Sequence, residues 1–229
     1  MIPKVIHYCW FGQNSMPKSA QKCIESWKRV LPDYEIKEWN EKNFPVHINK
    51  YSSYCYENKK WSHLTDYVRL NVLYTYGGIY LDTDVEVLKS FDDLLENDAF
   101  FGFETEHYIN TGLGFGSKKN LPLVKNMLEW YENWIEECGI INCPIINTES
   151  FKMYGFKLDG SLQTIDNITV YPIEYFNPLD DQTGVLKISD NTQSIHWYSK
   201  SWMSTKSKIR NKITRKIHKY FGVDFLRKH

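Results

Sequence analysis

Asp82 and Asp84 flank a single threonine in the run Ile79-Tyr80-Leu81-Asp82-Thr83-Asp84. Two carboxylates one residue apart can reach the same divalent cation, directly or through its water. Hard, negatively charged oxygens suit Mg²⁺ or Mn²⁺, and such sites commonly share the metal with substrate phosphates. Upstream, Asp66 and Arg69 stand three residues apart in a helical pattern and so project from one face. In a binding site Asp66 accepts hydrogen bonds from hydroxyls while Arg69 donates them. The bland alternatives are solvated loop acids for the first pair and a weak surface ion pair for the second.

The elements that must position these groups can be read from periodicity. Ile2 to Trp10 reads as a short buried strand, followed by a turn-rich loop through Pro17, a helix over Ser19 to Val30 and a second strand over Tyr34 to Trp39. Ser62 is the expected N-cap of a helix whose apolar stripe is Leu64, Val68, Val72, Leu73 and Tyr76 and whose stop is Gly77-Gly78. Ile79 to Leu81 is then a strand ending directly on the acidic pair. Open α/β sheets place their ligands at the carboxyl ends of strands. Further expected elements are strands at 100–103, 112–116, 168–171 and 184–188, and an amphipathic helix over Leu121 to Cys138. The fold class is α/β.

Composition narrows the setting. The 229 residues are 42% hydrophobic and 24% charged, enough apolar material for one ordinary core. Lys+Arg and Asp+Glu both total 28, yet the balance hides an asymmetry. From Lys206 to His229 nine Lys/Arg face one acid, Asp224, a net +8 that leaves −8 on the remainder. Ile209, Ile213, Ile217 and Tyr220 recur among those basic residues as in a basic amphipathic helix, so the chain divides into a domain over 1–204 and a helix over 205–229. This pattern suits contact with an anionic membrane surface or packing of the apolar face on the body. The tail's charge also suits a polyanion in general, while the balanced charge totals point to no nucleic-acid partner. Five cysteines without a CxxC pair, no signal-like segment and no long apolar run point to a cytoplasmic protein, peripheral at most on the inner face of the cell membrane.

The segment DYVRLNVLYTYGGIYLDTD closely resembles the D-x-D sugar-binding region of glycosyltransferase family 32. That family includes bacterial capsule and polysaccharide transferases, yeast mannosyltransferases and, more distantly, the catalytic domains of large glucosylating toxins. MIPKVIHYCWFG resembles the family's opening strand, INTESFKMYGF a mid-chain segment of its small bacterial members, and SIHWYSKSW their closing His and Ser-Trp motif. The stretch after Ser204 lies outside the resemblance.

The resemblance implies a GT-A-type nucleotide-sugar-binding fold, a central mixed sheet flanked by helices. It implies retaining, metal-dependent transfer of a hexose, galactose or glucose, from a UDP-sugar to a glycan or lipid-linked acceptor in capsule, exopolysaccharide or lipopolysaccharide synthesis. By position, Asp82 contacts the donor's ribose and sugar directly or through the metal's water, Asp84 ligates the Mn²⁺ or Mg²⁺, and Asp66 and Arg69 hold hydroxyls of the sugar. Trp10 stacks on uracil. His196 is a further metal or diphosphate contact, and Ser201 and Trp202 approach the metal and β-phosphate. Asn110 and Glu149 are weaker candidates for lining the sugar and acceptor sites, each also readable as a turn or capping residue. Trp197 stands where many small members have a second histidine. Two rival readings remain: a D-x-D phosphatase of haloacid-dehalogenase type, whose motif opens the domain instead of following some eighty residues, and a non-catalytic sugar-nucleotide-binding module.

Overall fold

The computed structural model describes residues 1–199 and 205–223. Along the chain, β1 (Val5–Cys9) leads through α1 (Lys18–Val30) to β2 (Glu35–Trp39), then α2 (Lys50–Glu57), α3 (Trp61–Tyr76), β3 (Gly78–Tyr80) and β4 (Val85–Val87). There follow β5 (Ala99–Thr105), β6 (Tyr108–Ile109), β7 (Phe115–Ser117), α4 (Pro122–Glu132), α5 (Cys143–Met153), β8 (Gln163–Ile165), β9 (Ile168–Tyr171), α6 (Ile173–Phe176), β10 (Ser194–His196) and α7 (Thr205–Phe221). The main sheet has the order β2-β1-β3-β7-β5-β9-β8, with β6 paired to β5 off this path. β1 is parallel to both β2 and β3, and β5 is parallel to β9, while β7 runs antiparallel to β3 and β5, so the sheet is mixed.

Side-chain alternation on the strands builds a core on each face. Ile6 and Tyr8 of β1, Ile79 of β3 and Phe100 of β5 join Trp27 of α1 and Phe176 of α6. Cys9, Tyr80, Phe101 and Phe103 join the other core, with Leu64, Val68 and Leu73 of α3 and Leu123 and Met127 of α4. The expected mixed sheet with helices on both faces is therefore the one observed. A second, two-stranded ladder pairs β4 antiparallel with β10, setting Val85 opposite His196. That ladder determines the site, because it brings the closing segment against the acidic pair.

Local details depart from expectation for identifiable reasons. The helix α3 starts at Trp61, with Lys60 in the cap position, and Ser62 instead hydrogen-bonds the His63 ring at 3.0 Å. The helix expected to reach Cys138 stops at Glu132, since its buried stripe ends at Tyr131 and Trp134 turns back against Tyr51. Residues 112–116 begin as a tight turn, not a strand: Asn110 Oδ1 accepts from Gly112 N at 2.7 Å and winds Thr111–Leu113 into a 3-10 turn before β7. Residues 184–188 form no strand, only a bridge between Leu179 and Leu186, where Asp180 Oδ1 takes the amides of Gln182 and Thr183.

Candidate active site

The acidic pair sits in a tight turn between β3 and β4, fixed by main-chain bonds on every side. Leu81 N donates to His7 O at 3.1 Å, Val85 N closes the turn onto Asp82 O at 3.0 Å, and the Trp27 indole donates to Val85 O at 2.7 Å. Tyr80, whose ring lies in the core, donates its hydroxyl to Asp82 Oδ1 at 2.9 Å. From α3, one turn apart and buried, Asp66 and Arg69 reach the same place. Arg69 Nη2 lies 2.9 Å from Asp66 Oδ1 and 3.4 Å from Asp82 Oδ1, so one guanidinium serves two carboxylates. The pair is buried, not a surface ion pair.

Asp84 is held differently. Its Oδ1 stands 3.1 Å from His196 Nε2, and its Oδ2 accepts from Ser199 N at 2.7 Å. Trp197 N donates to Asp84 O at 2.9 Å, extending the β4–β10 ladder by one bond. Although burial pushes its carboxyl up, the His196 ring and the Ser199 amide outweigh this and leave Asp84 well below the usual carboxylate range. Burial dominates at Asp82 and raises it; Arg69 offsets part of that rise and the neighbouring Asp84 charge adds to it. The His196 ring is raised because Asp84 overcomes its desolvation.

Asp82, Asp84 and His196 each offer one ligand atom, and the three atoms lie within 4.8 Å of one another. Two oxygens and an imidazole nitrogen beside a cavity fit a divalent cation. The like charges of Asp82 and Asp84, only partly compensated by protein groups, are what a dication would relieve.

These groups open on a cavity of about 880 Å³, which also has Trp10, Asn110 and Glu104 in its wall. Trp10 is half-buried, packs partly on the core and donates its indole N–H to Asn14 O at 2.7 Å, leaving the ring in the cavity wall. Asn110 holds its own turn and donates to Glu104 Oε1 at 3.0 Å. Ser201 and Trp202 fall outside the described residues. Glu149 stands apart from the cavity on α5, paired with Lys152 at 2.8 Å, because its position turns it to the surface side of that helix.

Residues 17–101 match the family described as the glycosyltransferase sugar-binding region containing a DXD motif. That stretch is therefore similar to a glycosyltransferase sugar-binding region. Inositol phosphoceramide mannosyltransferase 3 of Schizosaccharomyces pombe is 34% identical over 148 residues, which are 58% of this chain and 39% of that protein. An uncharacterized glycosyltransferase of Acanthamoeba polyphaga mimivirus is 28% identical over 144 residues, 56% of each chain. The chain thus spans under two fifths of the length of the fission-yeast relatives it matches. The solved structure of PaToxG glycosyltransferase superposes with a TM-score of 0.54 at 18% identity, covering 67% of this chain and 69% of that one. This likeness places the architecture among GT-A-type folds.

Several groups around the cavity escape a reading of the sequence alone. Glu104, at the end of β5, accepts from both Asn110 and the Tyr198 hydroxyl (3.3 Å) at the cavity wall. Cys143, at the start of α5, points its thiol at Asn110 Oδ1 at 3.4 Å and also lines the cavity. Gly112 leaves room for the acid cluster: a Cβ there would lie 2.7 Å from Asp82 Oδ2 and 2.9 Å from Arg69 Nη1. The last carried a signal, since a glycine follows Asn110 in a segment otherwise suited to a strand. The first two depend on tertiary approach alone.

Proposed function

We propose that this chain transfers a hexose from a nucleotide sugar, taken as UDP-galactose or UDP-glucose, to a hydroxyl of a glycan or lipid-linked acceptor, with retention at the anomeric carbon. The observation that carries this reading is the convergence of Asp82, Asp84 and His196 with the Asp66–Arg69 pair on one cavity, the four acidic and arginine side chains among them falling within residues 17–101, which match a sugar-binding region. In the transfer, the bond from the anomeric carbon to the diphosphate oxygen breaks and a bond to the acceptor oxygen forms. The acceptor's proton leaves with the departing diphosphate. Asp82, Asp84 and His196 would hold a divalent cation, which when bound would supply positive charge where the leaving group develops its negative charge. Asp66 and Arg69 hold hydroxyls of the sugar through charge-assisted hydrogen bonds, and their mutual pairing fixes both side chains before the donor arrives. The Trp10 ring offers a stacking face for the base, and Ser201 and Trp202 complete the diphosphate side. Asn110 lines the sugar site beside them.

The acceptor is proposed as a lipid-linked intermediate of capsule, exopolysaccharide or lipopolysaccharide, met at the inner face of the cell membrane. The names of the inositol phosphoceramide mannosyltransferases support a lipid-borne acceptor and supply mannose as the competing hexose. No described helix is long and apolar enough to cross a membrane. The test is a donor screen with Mn²⁺ over UDP-galactose, UDP-glucose and GDP-mannose, reading nucleoside diphosphate. Release with a UDP-hexose supports the proposal, and release with GDP-mannose alone replaces the donor with the competing one. Inorganic phosphate from a phosphomonoester instead identifies a phosphatase, and donor binding without any release identifies a binding module.

A further inference from the structure

The C-terminal helix α7 is amphipathic in the reverse sense to a helix that packs on a core. It carries Lys206, Arg210, Lys212, Arg215, Lys216 and Lys219 and no acid. At about 100° per residue, Ile209, Ile213, Ile217 and Tyr220 fall within a sector of roughly 80°, and Arg215 lies opposite them. Arg215 also touches the body. Its Nε donates to Asp181 O at 2.7 Å and its guanidinium pairs with the Asp181 carboxylate. Asn211 and His218, on the same side as Arg215, are half-buried, as is Thr214 on the flank. Most of the apolar side is open: Ile209 is 58% exposed, Ile213 55% and Tyr220 75%, while Ile217, at the edge of the stripe, is half-buried. A helix that covers a core turns its apolar stripe inward; α7 turns it out, and the packing alternative raised by the sequence does not describe it.

The basic residues complete the pattern. Arg210 borders the isoleucine stripe on one side and Lys212, Lys216 and Lys219 border it on the other, with Lys206 capping the stripe one turn before Ile209; their aliphatic stems flank apolar surface and their ammonium or guanidinium heads reach beyond it. An apolar strip between two cationic margins complements one kind of surface, the headgroup and upper acyl region of an anionic bilayer. We propose that α7 seats its Ile209–Tyr220 face in an anionic membrane while Arg215 holds the helix to the cavity wall. Asp181 lines the same cavity as the acid cluster, so the docked helix sets the mouth of that cavity beside the lipid surface. This consequence rests on the proposed transfer to a lipid-linked acceptor; the docking itself does not.

The experiment is cosedimentation of the full chain with vesicles of phosphatidylcholine alone and of phosphatidylcholine mixed with phosphatidylserine, alongside the variant I209E/I213E. Both substituted residues are exposed, so the variant keeps the wild-type thermal transition and the wild-type release of nucleoside diphosphate from donor. The expected result is pelleting with the mixed vesicles only, weakened by added salt, and at least about a tenfold lower partition for the variant. A wild-type chain that stays in the supernatant overturns the proposal, as does a variant that pellets equally. A concentration-dependent dimer in sedimentation velocity, lost in I209E/I213E and accompanied by no vesicle binding, assigns the face to a second copy and also overturns it. Because vesicle binding is read without turnover, its failure leaves the proposed transfer standing, and an inactive chain leaves the docking result interpretable.

Discussion

Gly112→Ala is the sharpest test of how the acid cluster is assembled. The backbone at Gly112 has no left-handed requirement, so the added methyl acts through its contacts alone. Its Cβ would fall 2.7 Å from Asp82 Oδ2, 2.9 Å from Arg69 Nη1 and 3.1 Å from Asn110 Oδ1. Restoring ordinary contact at 3.4 Å moves the Asp82 carboxylate by roughly 0.7 Å or shifts the turn that carries Gly112. Overpacking of this kind costs about 1–3 kcal/mol, which a folded domain tolerates. The catalytic cost is larger, because misplacement near 1 Å at a reacting centre lowers rates by about 10². Donor turnover measured as nucleoside diphosphate release, together with the thermal transition, separates the two effects. The expected outcome is a modest loss of stability with kcat/KM down by about a hundredfold. A folded Gly112→Ala protein with wild-type kcat/KM would refute the claim that Asp82 and Arg69 must sit where Gly112 permits.

Other consequences follow from the buried charges. Arg69→Met leaves Asp66 and Asp82 without their shared cation and should destabilise the chain by about 3–5 kcal/mol in urea unfolding, with part of that loss recovered in the double variant D66N/R69M; equal stability of R69M and the wild type would contradict the pairing. His7 supplies a pH dependence. Its Nε2 faces Gly77 O at 3.0 Å and its Nδ1 accepts from the Trp39 indole at 3.0 Å, a pattern only the neutral ring satisfies, and burial holds it down at about 4. A base depressed on folding contributes stability that is full above its unfolded value near 6.5 and falls away as pH drops through 4, in all about 3 kcal/mol. His7→Asn should therefore flatten the stability curve between those limits, and an unchanged slope would show that His7 is not the titrating group.

The part of the site that was legible in the sequence is the part built by neighbours along the chain. The stripe of α3, the Gly77-Gly78 stop and the short apolar strand are local signals, and together they deliver Asp66, Arg69, Asp82 and Asp84 to one end of the sheet. His196 was legible as a candidate, but not its mate. Its place beside Asp84 comes from the β4–β10 ladder, formed between segments more than a hundred residues apart. Three-residue strands such as β4 and β10 are too short to show a period. Glu104 and Cys143 carried no pattern, since each enters the cavity through the packing of β5 and α5 on the rest of the fold. In α7 the periodicity showed an apolar stripe without its direction. That direction comes from tertiary contacts, among them the pairing of Arg215 with Asp181.

The most direct measurement is ³¹P NMR of a nucleotide sugar incubated with the chain and Mn²⁺, for the wild type and for Asp82→Ala and Asp84→Ala. The account predicts that the wild type converts the donor to nucleoside diphosphate with no inorganic phosphate, and that both variants, folded by circular dichroism, leave the donor resonances unchanged. Conversion by either variant at the wild-type rate would contradict the assignment of the acid pair as the centre of the reaction.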